Sequence, residues 1–313
     1  MVYIEELKKI EKNINILIES IPDEFTRDET KRIISSGGKR LRPLFLILAC
    51  KVGITDESSY EIAASLELLH TSSLIHDDII DHGDMRRGRE TTVSIYGREK
   101  AISTGGILSL FAIDKIISMK NEKVSIAMID TLETLCLGEL KQLNERYNFS
   151  INYSDYITRI SEKTASLFAL SCTMGGILSK ADEKTIDKLH DIGFNIGCSF
   201  QILDDISDIE STKKITGKIS GMDIRGGIIT LPFLLLMEKD LEFKKNVLSI
   251  TPQSQDLQFI RLIESVKKSS NLDEAYSISN LFLDKALSIL ATLGSSEVEE
   301  KFSYLIDKLY KSI

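Results

Sequence analysis

The sequence predicts an all-α fold, and three observations carry that expectation. Only four prolines (Pro22, Pro43, Pro232, Pro252) interrupt the 313 residues, and no Asn-Gly or Asp-Gly dipeptide offers a tight hairpin. Apolar residues return at three- and four-residue steps in segment after segment, and no region sustains period-two alternation.

The elements follow in order along the chain. The opening stretch, "MVYIEELKKIEKNINILIES", alternates charge with apolar residues; it reads as a helix, and as neither a signal peptide nor a membrane span. A loop at Gly37-Gly38 precedes the apolar run 44–50. Ile62, Leu66, Leu69 and Ser73 make the next helical stripe, and Leu132, Leu135, Glu139 and Gln142 another. Ile157, Ile160, Thr164, Leu167 and Ser171 follow, then Leu189, Ile192, Ile196 and Phe200. Several stripes mix small or polar residues with apolar ones, as expected of helices facing a central cavity. Gly53, Gly83, Gly88, Gly97, Gly175-Gly176, Gly217, Gly221 and Gly226-Gly227 fall between helical runs, but none belongs to a long linker. Residues 1–313 therefore read as one helical domain without internal repeats. After about residue 240 only helical patterning remains.

Composition narrows the function. The chain is 42% hydrophobic and 27% charged, as soluble globular proteins are. A net charge of −8 argues against a nucleic-acid partner. Cys50, Cys136, Cys172 and Cys198 stand far apart in apolar contexts, so they read as buried free thiols of a cytoplasmic protein.

Two acidic clusters stand out. "HDDIID" puts Asp77 and Asp81 on one face of a helix, with Asp78 about 100° around it. His82-Gly83 reads as the helix end, where the macrodipole is negative, so both the i, i+4 repulsion and the dipole are unfavourable unless a cation is present. Acidic turns on solvated helix ends are common, and one such cluster says little. The spacing recurs, however, as Asp204, Asp205 and Asp208 in "QILDDISDIE", again after an apolar helical run. Aspartate-only ligation suits Mg²⁺, which keeps waters and shares its shell with substrate phosphates. No Cys/His set has zinc spacing.

Basic residues cluster separately. "GGKRLRP" carries Lys39, Arg40 and Arg42 in a loop, and "DMRRGRE" carries Arg86, Arg87 and Arg89. Lys163 interrupts an apolar stripe beside Thr164, and Lys218 follows the second acidic cluster. Most lysines here read as solvated surface charge; Lys163 does not. Arginine forks grip phosphate oxygens bidentately, so a divalent metal beside Arg and Lys describes a diphosphate site. Neither GxxxxGK[ST] nor GxGxxG occurs, which leaves a nucleotide-dependent kinase or dehydrogenase unsupported.

Taken together, "GGKRLRP", "LELLHTSSLIHDDIIDHGDMRRG", "GELKQ", "KTASLF", "FQILDDISD" and "GKISGMDIRGGIITLP" resemble, in order, the trans-prenyltransferases, the polyprenyl diphosphate synthase family. The resemblance implies an all-α prenyl-synthase bundle, usually a homodimer, with a central cavity and both aspartate motifs facing each other at its mouth. It implies 1'-4 condensation of isopentenyl diphosphate onto an allylic diphosphate, with Mg²⁺. Lys39, Arg42, His70 and Arg87 match the isopentenyl diphosphate site; Arg86, Lys163, Thr164, Gln201 and Lys218 match the allylic one. Asp77, Asp81 and Asp204 match the main metal ligands, with Asp78, Asp205 and Asp208 supporting them.

Two positions depart from the family pattern. Gly106 stands where members usually have Asp, and Ile228 where many have Lys. Ser73 and Ser72, four and five residues before Asp77, lack the bulky aromatic that stops short products in the family, so a product of thirty carbons or more is expected. A farnesyl or geranylgeranyl synthase, or a subunit of a heteromeric synthase, is the alternative. A terpene cyclase would normally lack the "GGKRLRP" stretch and the Arg86-Arg87 pair.

Overall fold

The computed structural model describes residues 3–210 and 220–310. The all-α class is what the structure shows. The first half runs α1 (Ile4–Glu19), α2 (Glu24–Ser35), α3 (Leu41–Cys50), α4 (Glu57–Ile80), β1 (Met85–Arg86), β2 (Arg89–Glu90), α5 (Thr92–Tyr96), α6 (Arg98–Ser118) and α7 (Glu122–Glu145). The second half runs α8 (Tyr153–Ile160), a π-helical turn (Ser161–Ala165), α9 (Ser166–Leu178), α10 (Glu183–Glu210), α11 (Met222–Arg225), α12 (Leu231–Lys239), α13 (Leu241–Leu248), α14 (Asp256–Lys268), α15 (Asn271–Leu290) and α16 (Ser296–Tyr310). Contacts group these residues into two compact units, Met1–Ile129 with Leu170–Leu189 and Ser295–Phe302, and Asp130–Ala169 with His190–Gly294 and Ser303–Ile313.

In the first unit α4 is central, packed against α1, α3 and α6. It starts where the Asp56 carboxylate accepts from the Ser59 N–H at 3.1 Å, as the Asp23 carboxylate starts α2 by accepting from the Thr26 N–H at 2.7 Å. Ile62, Leu66 and Leu69 are buried, as their spacing predicts. The apolar run 44–50 is buried along its whole length in α3, which begins at Leu41. Arg42 therefore lies in a helical turn, whereas the sequence placed it in a loop. Helices α4 and α6 approach closely: a Cβ on Gly105 would stand 2.5 Å from the His76 ring. By length and composition α6 could cross a membrane, with 33% of its apolar window buried. The sequence had suggested no such segment. Length and apolarity equally describe a helix packed along one side, and α6 packs along α4.

Strands β1 and β2 form a minimal antiparallel hairpin. Its central residues, Arg87 and Gly88, both have positive φ (50° and 75°), the backbone of a turn that follows the twist of paired strands. Only glycine takes this conformation freely, so Arg87 is held there at the tip by its surroundings.

The second unit closes around Tyr156, Ile202, Ile206, Leu231 and Phe233, with Phe233 and Phe243 stacked 6.2 Å apart. A reciprocal Asn152–Asp155 capping box starts α8. α9 and α10 approach to backbone contact, since a Cβ on Gly193 would lie 2.5 Å from the Phe168 carbonyl oxygen. Cys50, Cys172 and Cys198 are buried free thiols, but Cys136 is exposed. It shares α7 with the exposed Leu137 and Leu140, so an apolar neighbourhood in sequence did not mean burial there.

Candidate active site

The first carboxylate cluster closes α4. Asp77 is half-buried, Asp78 buried and Asp81 exposed. Asp81 is the C-cap residue, its N–H still bonded to the Asp77 carbonyl at 2.8 Å, and His82 then turns left-handed at φ 52°. The helix ends where the sequence predicted. Arg86 Nε donates to Asp78 Oδ1 at 2.8 Å. Burial raises the Asp78 carboxyl above the usual range, partly offset by Arg86, with Asp81 adding to the rise. Arg86, matched above to allylic diphosphate, is therefore also the partner that holds Asp78.

The same unit assembles a basic patch. Arg42 Nη1 donates to His70 Nε2 at 3.0 Å. A guanidinium has no acceptor, so this imidazole nitrogen carries a lone pair and the ring is neutral. Burial, reinforced by Arg42 and Arg87, holds His70 well below its ordinary value. Arg42 is itself drawn down by burial to about 10, still cationic at neutral pH. Arg87 reaches back to the Gly37 carbonyl, and Lys39 is exposed beside it in the chain. Arg42, His70 and Arg87 thus gather around Glu67, a buried carboxylate raised by desolvation.

The second unit carries the other cluster. Asp205 is buried and accepts from Tyr156 OH at 2.7 Å and from Gln201 Nε2 at 2.8 Å. Gln201 Oε1 accepts in turn from Thr164 Oγ1 at 2.6 Å. Burial pushes Asp205 up to about 7; the Gln201 and Tyr156 bonds oppose this and the Asp204 charge adds to it. Asp208 accepts from the Met222 and Asp223 N–H groups at 3.0 and 3.3 Å. Lys163 pairs with Glu139 at 2.7 Å, and both belong to this unit. Lys163 and Thr164 lie in the π-helical turn, which aims consecutive side chains differently from an α-helix; such turns are frequent at functional sites. Lys218 lies outside the described residues.

Several contributors were not singled out by sequence. Asp223 joins the second cluster, its carboxyl raised well above normal by burial and by Asp205, Asp208 and Asp204. It lies inside the "GMDIRGG" stretch, where it could have been read as a further acid following the second motif. Tyr156 and Arg159 support Asp205 but carry no local signal, being distant in sequence.

The carboxylates fit a hard cation. All the donors are oxygens, and burial, with the neighbouring aspartate charges adding to it, raises the Asp205 and Asp223 carboxyls. Among the described residues, no group of three or more His, Cys, Asp or Glu side chains is placed so that it could hold a metal ion by itself.

Of the chain-length candidates, Ser72 is buried between helices: its hydroxyl donates to the Gly105 carbonyl at 2.9 Å and meets Ser109. Ser73 is half-buried and donates to the His70 carbonyl at 2.8 Å. At Gly106 an added Cβ would meet nothing within 4 Å, so the missing polar side chain leaves open space. The Ile228 N–H donates to the Asp223 carbonyl at 2.9 Å.

An all-helical fold bearing two aspartate clusters, each with cationic side chains in its own unit, agrees with a transferase of prenyl groups. Residues 23–269 match the family described as Polyprenyl synthetase, and the chain belongs to that family, the trans-polyprenyl diphosphate synthases that transfer prenyl groups. It is 34% identical to heptaprenyl diphosphate synthase component 2 of Geobacillus stearothermophilus, covering 85% of this chain and 83% of that one. It is 31% identical to geranylgeranyl diphosphate synthase of Saccharolobus solfataricus, over 95% of this chain and 94% of that one. The heptaprenyl diphosphate synthase structure from Staphylococcus aureus superposes with a TM-score of 0.94 at 36% identity, covering 97% and 96% of the two chains.

Proposed function

We propose that the protein condenses isopentenyl diphosphate with an allylic diphosphate, in trans 1'-4 fashion, to a product of thirty carbons or more. The observation that carries this is that each aspartate cluster shares its unit with cations: Arg86, bonded to Asp78, with Arg87, Arg42 and Lys39 in the first, and Lys163, paired with Glu139, in the second. Asp77, Asp81 and Asp204 would hold Mg²⁺, with Asp78, Asp205 and Asp208 supporting them; the ion would supply charge neutralisation for a diphosphate leaving group. The chain's residues do the rest. Lys163, Thr164, Gln201, Arg86 and Lys218 hold the allylic diphosphate as its C1–O bond breaks and negative charge collects on the leaving oxygens. Arg42, Arg87, Lys39 and His70 hold isopentenyl diphosphate, whose double bond attacks the allylic C1. A proton leaves C2 of the former isopentenyl unit, and the departing diphosphate accepts it. Exclusion of water around the cation keeps it from capture.

The long-chain reading draws support from the heptaprenyl relatives and from the small Ser72 and Ser73. Incubation of the purified protein with labelled isopentenyl diphosphate, each allylic primer and Mg²⁺ tests it. Products of thirty carbons or more are expected; only shorter ones would reject the length, and no incorporation with any primer would reject the reaction.

We further propose a homodimer. The support is a stripe on α6, where Ile102, Leu110 and Ile117 are 47%, 69% and 46% exposed on the side away from α4. The relative named "component 2" favours a second reading, in which a different subunit covers that face. Light scattering on the purified chain separates the two: a mass of twice 35.1 kDa supports the homodimer, and a monomer favours the second subunit. The free cysteines support a reducing, cytoplasmic setting.

A further inference from the structure

Among the cations around residues 37–43, Arg40 has the least exposed side chain, 5%, and it has no part in the reaction proposed above. Its backbone is left-handed, φ 50°, at the N-cap of α3. Its guanidinium points inward. Nε donates to Glu11 Oε1 at 2.8 Å, Nη1 to Glu67 Oε1 at 3.2 Å and Nη2 to the Ile34 carbonyl at 3.0 Å. The fork thereby ties α1, the end of α2 and the middle of α4 to one loop. Gly38 shows how tightly the loop is drawn over it: a Cβ there would stand 2.5 Å from Arg40 Nη1 and 2.9 Å from Arg87 Nη1.

A buried arginine is retained only where its hydrogen bonds are met, and Glu67, also buried, supplies the opposite charge. A lysine would keep that charge but reach one of these three directions at a time. The loop so held carries Lys39 immediately before Arg40, and the first turn of α3, which starts from it, carries Arg42 two residues after. Arg87 bonds the same loop at the Gly37 carbonyl.

Resting on the reading that Lys39, Arg42 and Arg87 take isopentenyl diphosphate, we propose that Arg40 is the positioning residue of that site: it holds the loop so that its neighbours present their cations in one register, and it does not itself touch the substrate. Loss of the fork then acts on one substrate alone. A merely structural role acts on both.

The test is the kinetics of Arg40→Lys with each substrate varied in turn. The apparent KM for isopentenyl diphosphate is expected to rise roughly tenfold, the scale of a displaced contact group. The KM for the allylic substrate and the kcat at saturation stay within about twofold. Equal rises in both KM values, or none, overturn the proposal. If Arg40→Lys does not fold, Glu11→Gln takes its place, because Glu11 is a surface partner with 39% of its side chain exposed. The same split, about threefold, is expected for it, and an unchanged isopentenyl diphosphate KM overturns the proposal. Calorimetric binding of isopentenyl diphosphate without primer separates this from the reaction itself. A wild-type protein that binds but does not turn over rejects the reaction and leaves the variant's weaker binding to decide for or against Arg40. A wild-type protein that does not bind overturns both.

Discussion

His70 shows how one hydrogen bond settles a side chain's chemistry. Because Arg42 can only donate, His70 must accept, and its ring stays neutral among Arg42, Arg87, Arg86 and Arg40, with Glu67 the opposing charge nearby. A base depressed in the folded state binds a proton more readily when unfolded, so its contribution is complete above the ordinary value near 6.5 and is lost as pH falls below it. Glu67, raised by burial, acts in the opposite sense, from about 4.5 upward. In His70→Gln the amide oxygen can still accept from Arg42 but cannot protonate. Its Tm is expected to fall less between pH 7 and pH 5 than that of the wild type, and parallel curves by scanning calorimetry would refute the assignment. The cysteines give a second prediction at this scale. Burial pushes Cys50 and Cys198 up to about 12 and raises Cys172 as well, so none of the three presents a thiolate at neutral pH. Alkylation of the native protein is expected to label Cys136 first, and mass spectrometry of peptides reads it directly.

Helix contacts decide which chain-length candidate is informative. On sequence spacing, Ser72 and Ser73 were equivalent, both one turn before Asp77. Ser72 proves to be packed against Gly105 and Ser109 of α6, so Ser72→Phe is expected to overpack that contact and cost about 1–3 kcal/mol in a denaturant titration. Ser73 is half-buried, and Ser73→Phe is expected to shorten the product while leaving stability within about 1 kcal/mol. An unchanged product spectrum from Ser73→Phe moves the length determinant elsewhere. The π-helical turn, too, has no signature in the sequence. It inserts into an otherwise periodic stripe, and only the bonds Lys163 and Thr164 make to Glu139 and Gln201 reveal it as a presenting element.

Each unit of the molecule carries one carboxylate cluster, and the proposed reaction requires both. Asp77→Asn and Asp204→Asn are each expected to lower turnover by roughly a hundredfold or more, since each removes charge that would hold the metal. The fold should suffer little: the attraction of Asp77 for Arg42 is set against like-charge repulsion at i, i+4 of about 0.2–0.5 kcal/mol, so Asp77→Asn is expected to change stability by less than about 1 kcal/mol. Radiolabel incorporation and thermal unfolding, measured together, check this. Chelation of divalent metal should stop incorporation, and added Mg²⁺ should restore it. Activity that persists in excess chelator would contradict the metal-assisted mechanism.

The sequence by itself determined the helical class and the chemistry of the two clusters. Both rest on local spacing: three- and four-residue periodicity makes a helix face, and aspartates four apart share it wherever the helix lies. His82 and Gly83, which follow the end of α4, were legible for the same reason. Only the tertiary structure decided that Arg40 is interior while Lys39 is exposed, that Ser72 packs and Ser73 is less buried, that Cys136 faces out, and that Asp223 joins Asp204, Asp205 and Asp208. Those outcomes depend on which distant residue arrives beside each side chain and how much water it displaces. No local pattern encodes that.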